Sequence, residues 1–511
     1  MQQSLDIGKQ MSRKKKFILN SCSGLFKQLI TFICGFVMTK AILSYYGSSL
    51  NGLVASITQF LGFIGFLELG IGPVIQSNLY KPLAEKDEDQ ISRIVKASNR
   101  FFNTIGCIFI GYIIVLCVIF PVYINSDYDY MFTASLILII SISTIAQYFF
   151  GMTYELLLNA DQKGYIQVTI QWITLLINTV LCIILMKLGV SIRGVKLFTT
   201  VIYVARPIFL LIYVKRYYKI DRRIKLEEEP IKQKWNGFAQ HIAAVICDNT
   251  DVAVLTIFSS LSNVSIYTVY YSVVYGVTQI IMTAVNGLEA MWGNMIANKE
   301  WDVLSKSFSF TEWIIHNIVL FVFTVTGLLI TPFIMVYTNG INDANYNQPL
   351  FGGLLVLAYA IQCLRIPYFR VIKAAGHYRQ TQNGAFISTG LNIVVSVAMV
   401  SRFGLMGVAV GTIVALLFHT LYFVNYLRTN ILKRMMKYFW KNILSDLVIV
   451  VLSYMVSNIV PLKATTYLEW ILLAIVISVI VLLVSIVTNC LMNMNNMRKA
   501  YHSIINKLGR R

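Results

Sequence analysis

Residues 13–44 read RKKKFILNSCSGLFKQLITFICGFVMTKAILS, and this stretch decides the fold. Four bases precede a long apolar run in which Lys27 and Lys40 are the only charged residues. A membrane-crossing helix needs about 20 mostly apolar residues. The apolar core of a cleavable signal peptide is only ~7–15 residues long, so the run reads as a retained span. The bases before it place its start on the cytoplasmic side. The rest of the chain repeats the pattern. Of its 511 residues 57% are hydrophobic and 13% charged, against roughly 45–50% and 25% in soluble proteins. A soluble enzyme is excluded.

Fourteen candidate spans follow from the apolar runs, near 17–44, 50–78, 101–124, 131–158, 164–187, 194–214, 238–260, 264–290, 312–336, 349–373, 381–401, 405–427, 442–460 and 467–491. The seventh is the weakest, because it carries His241, Asp248, Asn249 and Asp251, so thirteen spans is the alternative. An even number fits the charges better. Four of the 43 Lys and Arg residues fall in outside loops (Lys187, Arg193, Arg402, Lys463) and six within spans. The others cluster on the inside, which puts both termini in the cytoplasm and makes most of the +20 net charge a topology signal. It also predicts attraction to anionic lipid. The expected class is an all-α polytopic membrane protein. Residues 79–100, charged with spaced apolar positions, predict an amphipathic cytoplasmic helix between spans two and three.

The two halves share internal spacings. Asn178 with Gly189 and Gly194 is matched by Asn392 with Gly404 and Gly407, and NGL at 51–53 by SIY at 265–267, about 214 residues on. Pro121 corresponds to Pro332. An offset of six spans preserves orientation, which predicts parallel repeats related by an axis along the membrane normal. The expected division is a six-helix lobe over 1–225, a second over 226–430, and two appended helices with a basic tail over 431–511. Such a design works by alternating access.

The outside loops are too short for a catalytic domain, and there is no phosphate-binding Gly-rich loop. None of the eight cysteines shows metal-ligand spacing. Neither catalysis nor a cofactor or metal is expected, and no nucleic-acid partner.

An ionisable side chain at membrane depth costs roughly 2.5–3.5 kcal/mol on insertion scales and usually faces a cavity or a partner. Lys27 lies on a polar stripe with Asn20, Ser23 and Thr31, so it faces a cavity or pairs with an acid. Lys40 lies near the outer end of its span and is able to snorkel. Arg206 precedes Pro207 in span six, and Arg365 and Arg370 flank Pro367 in span ten. The last two reach one cavity only if that helix breaks. The acidic candidates are Glu68, Asp248 and Asp251, with His241 near the face of the two aspartates. Asp248 and Asp251 read as a proton carrier or cation site, or as neutralisers of bases in the other lobe. Glu68, followed by Gly70, Gly72 and Pro73, which loosen span two, reads as a counter-ion for Lys27 or a hinge contact; Glu155 reads as a structural partner. The deep set leans cationic, which suits an anionic substrate such as one bearing pyrophosphate.

Several stretches are similar to the polysaccharide-transport, Wzx-type flippase branch of the multidrug/oligosaccharidyl-lipid/polysaccharide exporter superfamily. They are YYGSSLNGL at 45–53, FLELGIGPVI at 66–75, DNTDVAVL at 248–255, VSIYTVYY at 264–271, GLNI at 390–393 and GLMGVA at 404–409. The resemblance implies a fourteen-helix inverted-V transporter in the bacterial cytoplasmic membrane. Its substrate would be an undecaprenyl-pyrophosphate-linked sugar unit, moved outward for capsule, exopolysaccharide or O-antigen assembly. Membrane lipids and other polysaccharide-assembly proteins are the implied partners. By region, Lys27, Lys40, Arg365 and Arg370 are the implied substrate-binding counterparts. The alternative is a drug or metabolite antiporter of the same superfamily, whose cavity carboxylates hold organic cations.

Overall fold

The computed structural model describes residues 13–68, 71–124, 128–221, 223–224, 250–285, 287–461 and 463–499. Two compact units divide the chain, 1–245 and 246–511.

In the first unit, α1 (Arg13–Gly62) continues into a 3-10 turn over Phe63–Leu67, followed by α2 (Ile71–Glu85), α3 (Glu88–Tyr123), α4 (Tyr130–Phe150), α5 (Met152–Ala160), α6 (Gly164–Lys187) and α7 (Ile192–Tyr217). In the second unit α8 is described over 250–258. Then come α9 (Leu261–Ala284), α10 (Leu288–Ala297), α11 (Trp301–Tyr337), α12 (Pro349–Leu364), α13 (Ile366–Ala374), α14 (Tyr378–Phe403), α15 (Leu405–Asn430), α16 (Lys437–Ser457) and α17 (Tyr467–Met492). Twelve described helices are long and apolar enough to cross a membrane. The expected count of fourteen is therefore approximate. The first two expected spans run together in α1, and the seventh lies largely outside the described residues. The chain is a multi-pass, all-helical membrane protein, as composition predicts.

Local sequence explains the breaks. Within α1, Gly47 takes φ 85° and ψ 173°, a conformation open to glycine but costly for other residues, and divides the helix into two segments. The second expected span stops short at Gly62, and the chain resumes as α2 from Ile71, with Gly72 and Pro73 in its first turn. The amphipathic segment 79–100 is not one helix. It is shared between the end of α2 and the start of α3, because Lys86 turns to φ 58° and Asp87 caps α3 by accepting from the Gln90 amide at 2.9 Å. A full capping box, Thr466 with Glu469, starts α17.

The helix order of the first unit recurs in the second. Helices α3, α6 and α7 begin at 88, 164 and 192; α11, α14 and α15 begin at 301, 378 and 405, each 213–214 residues later. The fourth expected span breaks at Gly151 and the tenth at Arg365, 214 residues on. The turns recur too, with Lys86 and Lys299 both at positive φ, as are Gln162 and Gly376. Asn178 and Asn392 are both buried, donating to the Tyr203 hydroxyl at 3.3 Å and to Thr412 Oγ1 at 3.1 Å. Helices α14 and α15 pack so closely that a Cβ on Gly407 would meet the Met399 carbonyl at 2.6 Å.

At one end of the first unit, the turn between α5 and α6 is tied to α1 and to the end of α7. Asp161 faces Lys163 Nζ at 2.7 Å, accepts from the Tyr218 hydroxyl at 2.5 Å, and faces Lys16 Nζ at 3.4 Å. Burial works against its charge, but the bonds from Lys163 and Tyr218 and the nearby ammonium groups outweigh it and hold the carboxyl below its ordinary range.

Candidate functional site

The first unit brings intramembrane charges from α1, α5 and α7 together around neutral polar side chains of α6. Glu155, in the first turn of α5, accepts from Gln147 Nε2 of α4 at 2.8 Å and from Gln171 Nε2 of α6 at 3.5 Å. Lys27 of α1 and Arg206 of α7 stand within electrostatic reach of the same carboxylate and of each other. Arg206 is firmly placed. Its Nε donates to Thr174 Oγ1 at 2.6 Å, its Nη2 to the Gln171 carbonyl at 3.2 Å, and its guanidinium lies 3.8 Å from the centroid of the Tyr203 ring. Stacking and a planar fork of donors are what arginine offers over lysine at such a position. Glu68 follows the 3-10 turn and accepts from the Tyr148 hydroxyl of α4. The acid near Lys27 is thus Glu155, while Glu68 serves a contact at the break between α1 and α2.

This cluster has two basic and two acidic members, linked through neutral amides and hydroxyls. Arg206, Glu155 and Glu68 each have a hydrogen-bonding partner and Lys27 feels the Glu155 carboxylate, which is how such groups are retained at membrane depth. Lys40 is half-buried and lies thirteen residues along α1, about 20 Å from Lys27 at helical rise, so it is outside the cluster.

In the second unit the expected bases separate. The break between α12 and α13 falls on Arg365 itself. Its Nη1 lies 2.5 Å from His419 Nδ1 of α15. Arg370, one turn into α13, donates to Glu289 of α10 at 2.8 Å, and Lys373 reaches the same carboxylate at 3.5 Å. The helix breaks as required for both arginines to face one place, yet they engage different neighbours.

Asp251 on α8 is buried, 5% exposed. It accepts from the Tyr267 hydroxyl at 2.8 Å and from Thr412 Oγ1 at 2.9 Å, while Asn392 donates to Thr412. These partners come from α9, α14 and α15, so one carboxylate ties together four helices. His241 and Asp248 lie outside the described residues.

Sequence reading missed a second charged group in this unit. Glu312 of α11, with no exposed surface, faces Arg434 Nη1 at 2.6 Å and accepts from the Tyr368 hydroxyl of α13. One turn on, His316 Nδ1 lies 2.6 Å from Asp446 Oδ2 of α16. Asn489 of α17 accepts from Trp313 Nε1 at 2.9 Å and donates to Asn317 Oδ1 at 2.5 Å. The available signal was Glu312 and His316 four residues apart on an apolar helix, facing a lone Asp446 in a later span.

No protein-family model matches the sequence, and no curated protein matches it either. Solved structures do match its fold. The lipid II flippase MurJ, in an inward closed conformation, aligns with a TM-score of 0.69 at 15% identity, over 94% of this chain and 100% of that one. An outward-facing multidrug resistance MATE family transporter of the MOP superfamily aligns at 0.55 and 14%, over 83% and 97%. A eukaryotic MATE transporter aligns at 0.52 and 14%, over 84% and 98%. At these identities the likeness is one of fold.

Proposed function

We propose that this protein is a flippase of the polysaccharide-transport type. It moves an undecaprenyl-pyrophosphate-linked oligosaccharide across the bacterial cytoplasmic membrane for surface polysaccharide assembly. In this reading residues 1–225 and 226–430 are parallel lobes that alternate access, 431–511 add two helices and a basic tail, and both termini are cytoplasmic.

The observation that carries the proposal is Arg206. It is fixed by Thr174, Gln171 and Tyr203 in an apolar helix bundle, half-buried and within electrostatic reach of Lys27. A fixed guanidinium within electrostatic reach of an ammonium provides charge-assisted donors for phosphate oxygens without any chemistry on the substrate. Arg365, placed at a helix break in the second unit, supplies the corresponding cation there. The fold shared with a lipid II flippase supports a large lipid-linked substrate. The acids of the first unit stand among bases and amide donors, which favours an anionic substrate over the organic cations of an antiporter.

The test is single neutralisation of Lys27, Lys40, Arg206, Arg365 and Arg370, with export of surface polysaccharide as the readout. Export should fall at least tenfold for Arg206→Gln and measurably for Lys27→Gln, with protein level unchanged. Full export in every variant would sink the proposal.

A further inference from the structure

A polar cavity of about 530 Å³ opens where the start of α11, the start of α16 and the end of α17 meet. Small-ligand pockets run from roughly 300 to 1,000 Å³, so a headgroup fits. Ser305 and Ser309 line it from α11, Arg434 and Lys441 supply bases, and Asn442 and Asn496 supply amides. Among the described residues no carboxylate lines it. Arg434 is held from behind by Glu312 at 2.6 Å, which aims it while neutralising it, so Lys441 carries the net charge. Exposed bases Lys306, Lys437, Arg498 and Lys499 lie close in sequence to the lining residues. Apolar side chains share the lining: Leu491 is 80% exposed and Met494 is exposed too.

We infer that this cavity is a binding site for the phosphodiester headgroup of an anionic phospholipid, separate from the intramembrane charges assigned to the substrate. Donors and net positive charge without a competing acid select a phosphate. The apolar side chains of the lining receive glycerol and acyl chains, for which a soluble anion has no use. Basic pockets between helix ends at the cytoplasmic face bind acidic lipid headgroups in this way. Occupancy would brace the appended helices α16 and α17 against α11.

The experiment uses the full chain, purified, stripped of lipid and placed in phosphatidylcholine nanodiscs with a titrated fraction of phosphatidylglycerol. Retained lipid is counted by native mass spectrometry. Phosphatidylglycerol should be retained in preference to phosphatidylcholine. Lys441→Gln should weaken retention about fivefold, the effect of one interfacial cation. Asn495→Ala with Asn496→Ala, one exposed and one half-buried position, should weaken it by a route that leaves charge unchanged. Lys187→Gln, remote in sequence from the cavity, should match wild type. Equal retention of the two lipids, or retention unaffected by both cavity variants, overturns the inference. Displacement of phosphatidylglycerol by millimolar inorganic phosphate would instead assign the cavity to a soluble anion.

Discussion

Thr412 shows what single hydroxyls do here. Its Oγ1 donates to the buried Asp251 carboxylate and accepts from Asn392, so Thr412→Val keeps the shape and removes the bond. A buried acceptor deprived of a donor costs about 1–3 kcal/mol, which predicts a lower melting temperature in detergent. An unchanged melting curve would show that Asp251 does not depend on Thr412. Arg434 is a stronger case. Arg434→Ala strands Glu312 with no exposed surface, and breaking a buried pair typically costs about 3–5 kcal/mol. The double change Glu312→Gln with Arg434→Gln should recover most of that loss in the same melting assay, and failure to recover would show that the charge pairing is not what matters. Of these residues Asp251 stood out in the sequence as a charge at membrane depth and Asn392 as one half of a repeated pair. Glu312, near the start of its span, did not. Neither did Gln147, Gln171 and Tyr148, because a lone amide or hydroxyl in a membrane helix has no signature until its partner is placed.

At the scale of the helix, glycines fix distances. Gly407 was legible as one member of a repeated spacing, but its physical reason is the approach of α14 and α15. A Cβ there meets the Met399 backbone at 2.6 Å, which has no rotamer to yield. Gly407→Ala should therefore destabilise the protein by about 1–3 kcal/mol, read as melting temperature and yield. Gly151 predicts the opposite profile. A Cβ there meets the end of the Gln147 side chain, Oε1 at 2.5 Å, and that side chain can swing away. It would then leave Glu155, its partner at 2.8 Å. Gly151→Ala should fold with near-normal stability yet transport poorly, and normal transport would detach Gln147 from the site. The breaks themselves were partly legible. Gly70, Gly72 and Pro73 mark the one before α2, and Pro367 the one at Arg365. At Gly151 only a glycine marks it, and the sequence reads through as one span.

Across the whole molecule, hydropathy alone supplied the helical class and most of the spans, since no other secondary structure satisfies its backbone in lipid. The recurrence of helix starts 213–214 residues apart extends the spacing first seen in Asn178 and Asn392. What sequence could not supply is which deep charges meet. Lys27, Glu155 and Arg206 are far apart in the chain and joined only by the packing of α1, α5, α6 and α7. The central claim, outward movement of a lipid-linked oligosaccharide, is tested most directly by deleting the gene in a host with no redundant transporter and locating that lipid. Accumulation of the pyrophosphate-linked oligosaccharide on the cytoplasmic leaflet, with loss of surface polysaccharide, is the predicted result. Normal delivery to the outer leaflet in the deletion strain would contradict it.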